Sequence, residues 1–258
     1  MASEALEIVA LPALQDNYIW LLRCTRTGQV GVVDPGDALV VERALHSRGW
    51  TLQWILNTHH HVDHVGGNLE LKARHGARVV GPARDAARIP GLDQGMAEGD
   101  RWSLGACAAR VYFVPGHTAG HIAWHFPEER ALFCGDTIFL MGCGRLFEGT
   151  PDQLWEAMRR LRDLPGDTRV CCAHEYTLGN ARFALTVDPG HEALQRRAAQ
   201  VAQARERGEP TVPGLLSEER ATNPFMRADE PALAEAVGLP GAEPARVLGA
   251  LRARKDRA

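Results

Sequence analysis

No two of the six cysteines, Cys24, Cys107, Cys134, Cys143, Cys171 and Cys172, stand at CxxC spacing, and two are adjacent. A chain of 258 residues can bury a full core without covalent staples, so free thiols in a reducing compartment are expected. Neither charge is in large excess: the formal net charge is −3, and nothing global recommends nucleic acid or an anionic membrane as partner. No apolar run is long enough to span a bilayer. The opening "MASEALEIVALPAL" carries acids, no basic n-region and no arginine, against a secretory signal or a transit peptide. The resulting expectation is a cytoplasmic protein that acts as a monomer. No G-x-S-x-G occurs, so a serine hydrolase is not expected. Internal repeats and low-complexity segments are also lacking.

What the chain does have is ordinary globular composition, 45% hydrophobic and 24% charged, enough for one large domain or two small ones. "LEIVAL", "NYIWLLR" and "VGVVD" read as strands, the last ended by Asp34-Pro35-Gly36. "DALVVERALHSRG" has helical spacing and closes on Gly49. "TLQWILN" is a further strand, followed by a helix over about 65–75, the strand "ARVVG" and a short helix begun by Pro82. Strands are expected over 109–115, 121–126 and 131–136, then the amphipathic helix "PDQLWEAMRRLRDL" and the strand "TRVCCAH". From about Glu175 the strand signals stop, and "HEALQRRAAQVAQARERG" and "EPARVLGALRARKDR" read as helices. The pattern predicts an α/β layered domain over 1–174 and a helical module over 175–258.

The strand "TLQWILN" delivers the chain into "THHHVDHVGGN", four histidines and an aspartate in six positions, His59 to His64. An extended backbone points His59 and His61 the same way, with His60 projecting away as a non-ligand. Asp63 and His64 are neighbours and diverge by roughly 100° if a helix has begun. Two nearby ions could share these four side chains, where one could hardly collect them. Gly66 and Gly67 permit close backbone approach beside them. Three more polar groups stand at strand ends: His117 and His121 in "VPGHTAGH", Asp136 in "CGDT", and His174 in "CCAHEY". Taken singly, these are ordinary loop residues or caps. His121 and His125 read as structural, and His46, His75 and His191 as surface residues without company.

The motifs "THHHVDH", "GHTAGH", "GDT" and "AHEYT" resemble the metallo-β-lactamase superfamily. With "GDTIF…GCGR", "GEPTVP" and "NPFMR…RKD" the likeness narrows to glyoxalase II, the hydroxyacylglutathione hydrolases, and runs from the first strands to the last helix. The resemblance implies a metallo-β-lactamase-like αββα sandwich followed by a C-terminal helical module. It implies two divalent metal ions per chain, one on His59, His61 and His117, the other on Asp63, His64 and His174. Asp136 would bridge them, with Asp63 and Asp136 the catalytic carboxylates and a hydroxide held between the ions. The donors are nitrogen and oxygen without thiolate, which suits Zn, Fe or Mn. Asp34 would orient the site from behind. The implied activity is hydrolysis of S-D-lactoylglutathione, or another S-2-hydroxyacylglutathione, to a 2-hydroxy acid and glutathione, the second step of methylglyoxal detoxification. A thiolate leaving group, whose acid titrates near about 8.5, needs no strong general acid. The family pattern puts the grip on glutathione at Arg145, Tyr176, Arg252 and Lys255, the last two on one helix face. In "GCGRLFEG", Arg145 stands where a lysine is usual and Phe147 where a tyrosine is usual. The rivals are a mononuclear-iron persulfide dioxygenase or another hydrolase on the same scaffold, and a metal-stabilised binding protein.

Overall fold

The computed structural model describes residues 5–258. They form two compact units, the first running to Phe113 and resuming over Ala119–Gly135, the second comprising Val114–Thr118 and Asp136–Ala258.

The first unit contains a six-stranded sheet in sequence order: β1 (Leu6–Ala13), β2 (Asn17–Cys24), β3 (Val30–Val33), β4 (Trp54–Leu56), β5 (Arg78–Pro82) and β6 (Leu92–Met96). Short turns join β1, β2 and β3, which pair antiparallel. From β3 onward the pairing is parallel; α1 (Ala38–Arg48), then α2 (Val62–Val65) and α3 (Asn68–His75), carry the chain back over the sheet between β3 and β5. The Asp37 carboxylate accepts from Leu39 N at 2.9 Å and caps α1, which ends at Gly49 with φ 63°, the left-handed closure expected from sequence. Ile19 and Leu21 of β2 pack with Val41 and Leu45 of α1. Trp20, on the opposite face, meets Phe133 edge-on at 5.9 Å. Phe133 belongs to a second, antiparallel run: β7 (Arg101–Leu104), β8 (Cys107–Phe113), β9 (Ile122–Phe126) and β10 (Ala131–Gly135). Trp54 and Trp102, 5.3 Å apart, make a second aromatic contact between the two sheets. Both faces of the middle of this sheet are covered, so β2, β3 and β4 read as nearly continuous apolar runs.

In the second unit β11 (Ile138–Phe139) pairs with β12 (Gly142–Cys143), and β13 (Arg169–Cys172) with β14 (Gly214–Leu215). Around them lie α4 (Pro151–Arg162), α5 (Thr177–Val187), α6 (Glu192–Glu206), α7 (Leu216–Thr222), α8 (Pro231–Ala236) and α9 (Pro244–Lys255). Thr150 and Gln153 form a reciprocal capping box at the start of α4, satisfying two donors the helix leaves open. Met141, Ala181, Ala184, Leu194, Ala198 and Val201 make the apolar seam of α5 and α6.

Several elements differ from the sequence expectation. The helix expected over about 65–75 starts at Val62 and breaks at Gly66-Gly67 into α2 and α3. Strand structure does not stop at Glu175, since β14 pairs with β13. A two-residue strand has no periodicity to read. β6, with Asp93 and Gln94 exposed, carries too little apolar alternation to be seen. The short helix after Pro82 is a 3₁₀ stretch, Ala83–Arg88. All six cysteines are buried, and none is in a disulfide. No helix among the described residues is long and apolar enough to cross a membrane.

Candidate metal centre

Parallel strands β3 and β4 end side by side, Val33 opposite Leu56. The two loops that leave them, one beginning at Asp34 and the other at Asn57, therefore emerge at one sheet edge. Close approach of these loops requires glycine. A Cβ on Gly36 would lie 1.9 Å from Asp63 O, and one on Gly67 would lie 2.5 Å from Pro35 O. Asp34 adopts φ 51°, a left-handed conformation that aspartate tolerates better than most residues. It is 3% exposed and accepts from Thr58 N at 2.8 Å and Thr58 Oγ1 at 2.6 Å.

That carboxylate assigns the histidine tautomers around it. His64 Nδ1 lies 3.1 Å from Asp34 Oδ2, and a carboxylate only accepts, so Nδ1 carries the proton. The lone pair of His64 is then on Nε2, which stands 3.3 Å from Asp63 Oδ2. Thr58 Oγ1 donates its hydrogen to Asp34 and so accepts from His59 Nδ1, 3.0 Å away. The lone pair of His59 is likewise on Nε2, 3.1 Å from His61 Nδ1. Asn17 Nδ2 donates to Asp63 Oδ2 at 3.0 Å. Asp34, His59 and His64 together offer three ligand atoms within 4.8 Å of one another, but the oxygens of Asp34 are occupied by donors. Asp34 orients imidazoles. His59 and His61 converge as the extended backbone predicts. Asp63 and His64 do not diverge, because their side chains bend back toward each other from the first turn of α2.

The second unit repeats the logic. His117 Nδ1 lies 2.9 Å from Arg145 O, so that nitrogen donates and Nε2 carries the lone pair. His117 Nε2 is 3.3 Å from Asp136 Oδ2, and His174 Nε2 is 3.4 Å from Asp136 Oδ1. One carboxylate thus presents a different oxygen to each histidine. All three residues are buried. In a neutral His117 the Nε2 lone pair faces a carboxylate oxygen, a contact that a shared proton or a bound cation makes favourable. The donors are imidazole nitrogen and carboxylate oxygen, with no thiolate. A divalent metal cofactor fits this set.

The residues expected to grip substrate all lie in the second unit. Tyr176 stacks on His174 with centroids 4.7 Å apart and an interplanar angle of 4°. Arg252 is buried, and its guanidinium donates to Cys143 O at 2.8 Å and to Asp256 Oδ1 at 2.9 Å. Arg145 Nε lies 3.5 Å from the same Asp256 oxygen, with its side chain exposed. Lys255, one face of α9 with Arg252, donates to Asn180 Oδ1. Burial, with Arg252 beside it, pulls the Lys255 ammonium down to about 8. Phe147 is exposed and meets the His117 ring edge-on at 5.2 Å.

Sequence reading missed Thr58, Asn17, Asp85, Asn180 and Asp256, whose partners are mostly distant in the chain. Two histidines read as solitary have partners: His75 Nε2 lies 2.9 Å from Glu42 Oε1, and His191 caps α6 by accepting from Leu194 N. His121 is fully buried and stacks on His59, with centroids 4.5 Å apart.

Residues 14–102 and 108–174 match the model of the metallo-beta-lactamase superfamily, and residues 175–258 match that of the hydroxyacylglutathione hydrolase C-terminus. A hydroxyacylglutathione hydrolase of Methylococcus capsulatus is 53% identical over 251 residues, 97% of this chain and 98% of that one. Among solved structures, ETHE1 from Myxococcus xanthus superposes with a TM-score of 0.66 at 24% identity, covering 96% of this chain and 98% of its own. TTHA1623, solved in a di-iron-bound form, gives a TM-score of 0.54 at 29% identity over 65% of this chain and 91% of its own. The fold is that of the metallo-beta-lactamases, and the chain belongs to the hydroxyacylglutathione hydrolase family.

Proposed function

We propose that this protein hydrolyses S-2-hydroxyacylglutathione thioesters, S-D-lactoylglutathione among them, to the 2-hydroxy acid and glutathione. Residues 1–174 serve as the catalytic domain and 175–258 as the glutathione-binding module, a division that the two separate family matches support. His59, His61 and His117 hold one divalent ion, Asp63, His64 and His174 a second, and Asp136 serves both. The observation that carries this reading is the Asp136 carboxylate, met by a different histidine at each oxygen. Two bound cations would supply a water acidified from about 16 to about 7 and a charge partner for the developing oxyanion. The donor set and the di-iron relative leave Zn, Fe and Mn as the candidate ions, with Zn our choice. In the neutral rings of His59, His64 and His117, the bonds leading to Asp34 and Arg145 O leave Nε2 as the unprotonated nitrogen. Asn17, through its bond to Asp63, holds that carboxylate in place.

The substrate carries carboxylates, and Arg145, Arg252 and Lys255 are the cations that receive them. Incubating the metal-loaded protein with S-D-lactoylglutathione should release free thiol, and the release should vanish with a chelator. A fully metallated sample that releases none contradicts the proposal. The Lys255 ammonium titrates near about 8, so it is charged below that pH and neutral above it. KM for the anionic thioester is therefore expected to rise as pH passes through about 8, with kcat less affected. In Lys255→Arg, whose charge does not titrate in this range, the rise should disappear. Parallel pH–KM profiles of the two proteins check this.

A further inference from the structure

We propose that Asp85, acting through His60, is a positioning residue for the ligands His59 and His61. The inference rests on the metal-site reading above. Residues 57–61 lie between the end of β4 at Leu56 and the start of α2 at Val62; backbone bonds tie Asn57 to Val80 and Thr58 to Ile122, and the side chain of His60 adds a further anchor. His60 sits between the two ligands in sequence, its ring centroid 4.9 Å from that of His61, with its side chain 9% exposed. Its Nδ1 lies 3.0 Å from Asp85 Oδ2, which only accepts, so Nδ1–H donates. Its Nε2 accepts from Arg88, whose guanidinium only donates. Both nitrogens of His60 are thus committed to protein partners, which is the chemical reason it is no metal ligand.

The anchor itself is held hard. Asp85 is 4% exposed, and Arg88 NH1 lies 3.8 Å from its Oδ1. A Cβ on Gly120 would fall 2.3–2.5 Å from its carboxylate atoms, so glycine there makes room for Asp85. The residue after Gly120 is His121, which stacks on His59. Ile122 N then donates to Thr58 O at 2.9 Å. Asp85 therefore secures the ligand segment by one imidazole and abuts the loop that packs on His59. Pinning His60 fixes the backbone from which His59 and His61 project.

The test is a metal titration, in competition with a chromophoric chelator and with zinc as probe, on the wild type, Asp85→Ala, Asp85→Asn, His60→Ala and the His60→Ala/Asp85→Ala double variant. Thermal unfolding of the metal-free forms accompanies it. Loss of an orienting partner costs about 10–100-fold in metal affinity. Asp85→Ala and His60→Ala should each lose about that much, and the double variant should lose no more than the worse single one. Asp85→Asn should recover most of the loss, since its Oδ1 accepts the same bond. Unchanged affinity in a folded single variant, multiplied losses in the double variant, or an Asp85→Asn loss as large as that of Asp85→Ala overturns the proposal. If Asp85→Ala does not fold, His60→Ala, which leaves the buried carboxylate in place, decides by the same criterion. Failure of the wild type to bind zinc would instead sink the metal-site reading itself.

Discussion

Asp136→Ala is expected to lower turnover of the glutathione thioester by more than about 100-fold and to lose at least one metal ion per chain. Removing only a group that orients a ligand costs about 10–100-fold in metal affinity, and Asp136 meets His117 with one oxygen and His174 with the other. On the proposed reading its deletion takes a ligand from both ions and leaves His117 and His174 without the carboxylate between them. The fold should survive, because Asp136 follows β10 and contributes no apolar packing. The variant is therefore expected to unfold near the metal-free wild type while its turnover collapses. Elemental analysis beside thiol-release kinetics checks the point. A variant that keeps both ions and most of its rate would show that Asp136 is not shared between them.

Asp34→Asn should produce the second large loss, although Asp34 holds no metal in this account. Asparagine suits the left-handed backbone at φ 51°, so the turn should form. Its Oδ1 can still accept from Thr58 N, but its Nδ2 donors then face the Thr58 hydroxyl and His64 Nδ1, which the wild-type carboxylate satisfies at 2.6 and 3.1 Å. Relief requires the His64 proton to move from Nδ1 to Nε2, the nitrogen needed for metal, and the Thr58 hydroxyl to turn toward His59. The wrong tautomer on an intact frame is the expected defect. We expect metal affinity to fall by about 100-fold, with stability lowered by roughly 1–3 kcal/mol for the buried polar mismatch. Chelator competition and denaturant unfolding measure the two effects separately. A loss of stability with metal affinity unchanged would contradict the assigned tautomers.

Much of this site is legible in the sequence, for physical reasons. The cluster from His59 to His64 is local, and its spacing alone brings His59 and His61 together. Its position after the strand "TLQWILN" places it at a sheet edge. The helix "PDQLWEAMRRLRDL" and the closure of α1 on Gly49 are equally local signals. The orienting groups are not local: Thr58 meets Asp34 from 24 residues away and His60 meets Asp85 from 25, and neither pairing leaves a periodic trace. Nor can spacing tell which nitrogen of an imidazole faces a ligand, since that depends on what the other nitrogen touches. The convergence of Asp63 and His64 was lost to the same limit, because backbone angles set Cβ directions and not the reach of the side chains. The break of the expected helix at Gly66-Gly67 follows from the approach of Pro35 and Gly36, a contact between segments about 30 residues apart.

The most direct test is metal stoichiometry measured against turnover. Metal-free protein would be titrated with zinc, and in parallel with iron(II) under exclusion of oxygen, while S-D-lactoylglutathione hydrolysis is followed. Rate should rise to its maximum only as the second equivalent per chain is bound. Full turnover at one equivalent or fewer would contradict the shared carboxylate and the two-ion centre built on it.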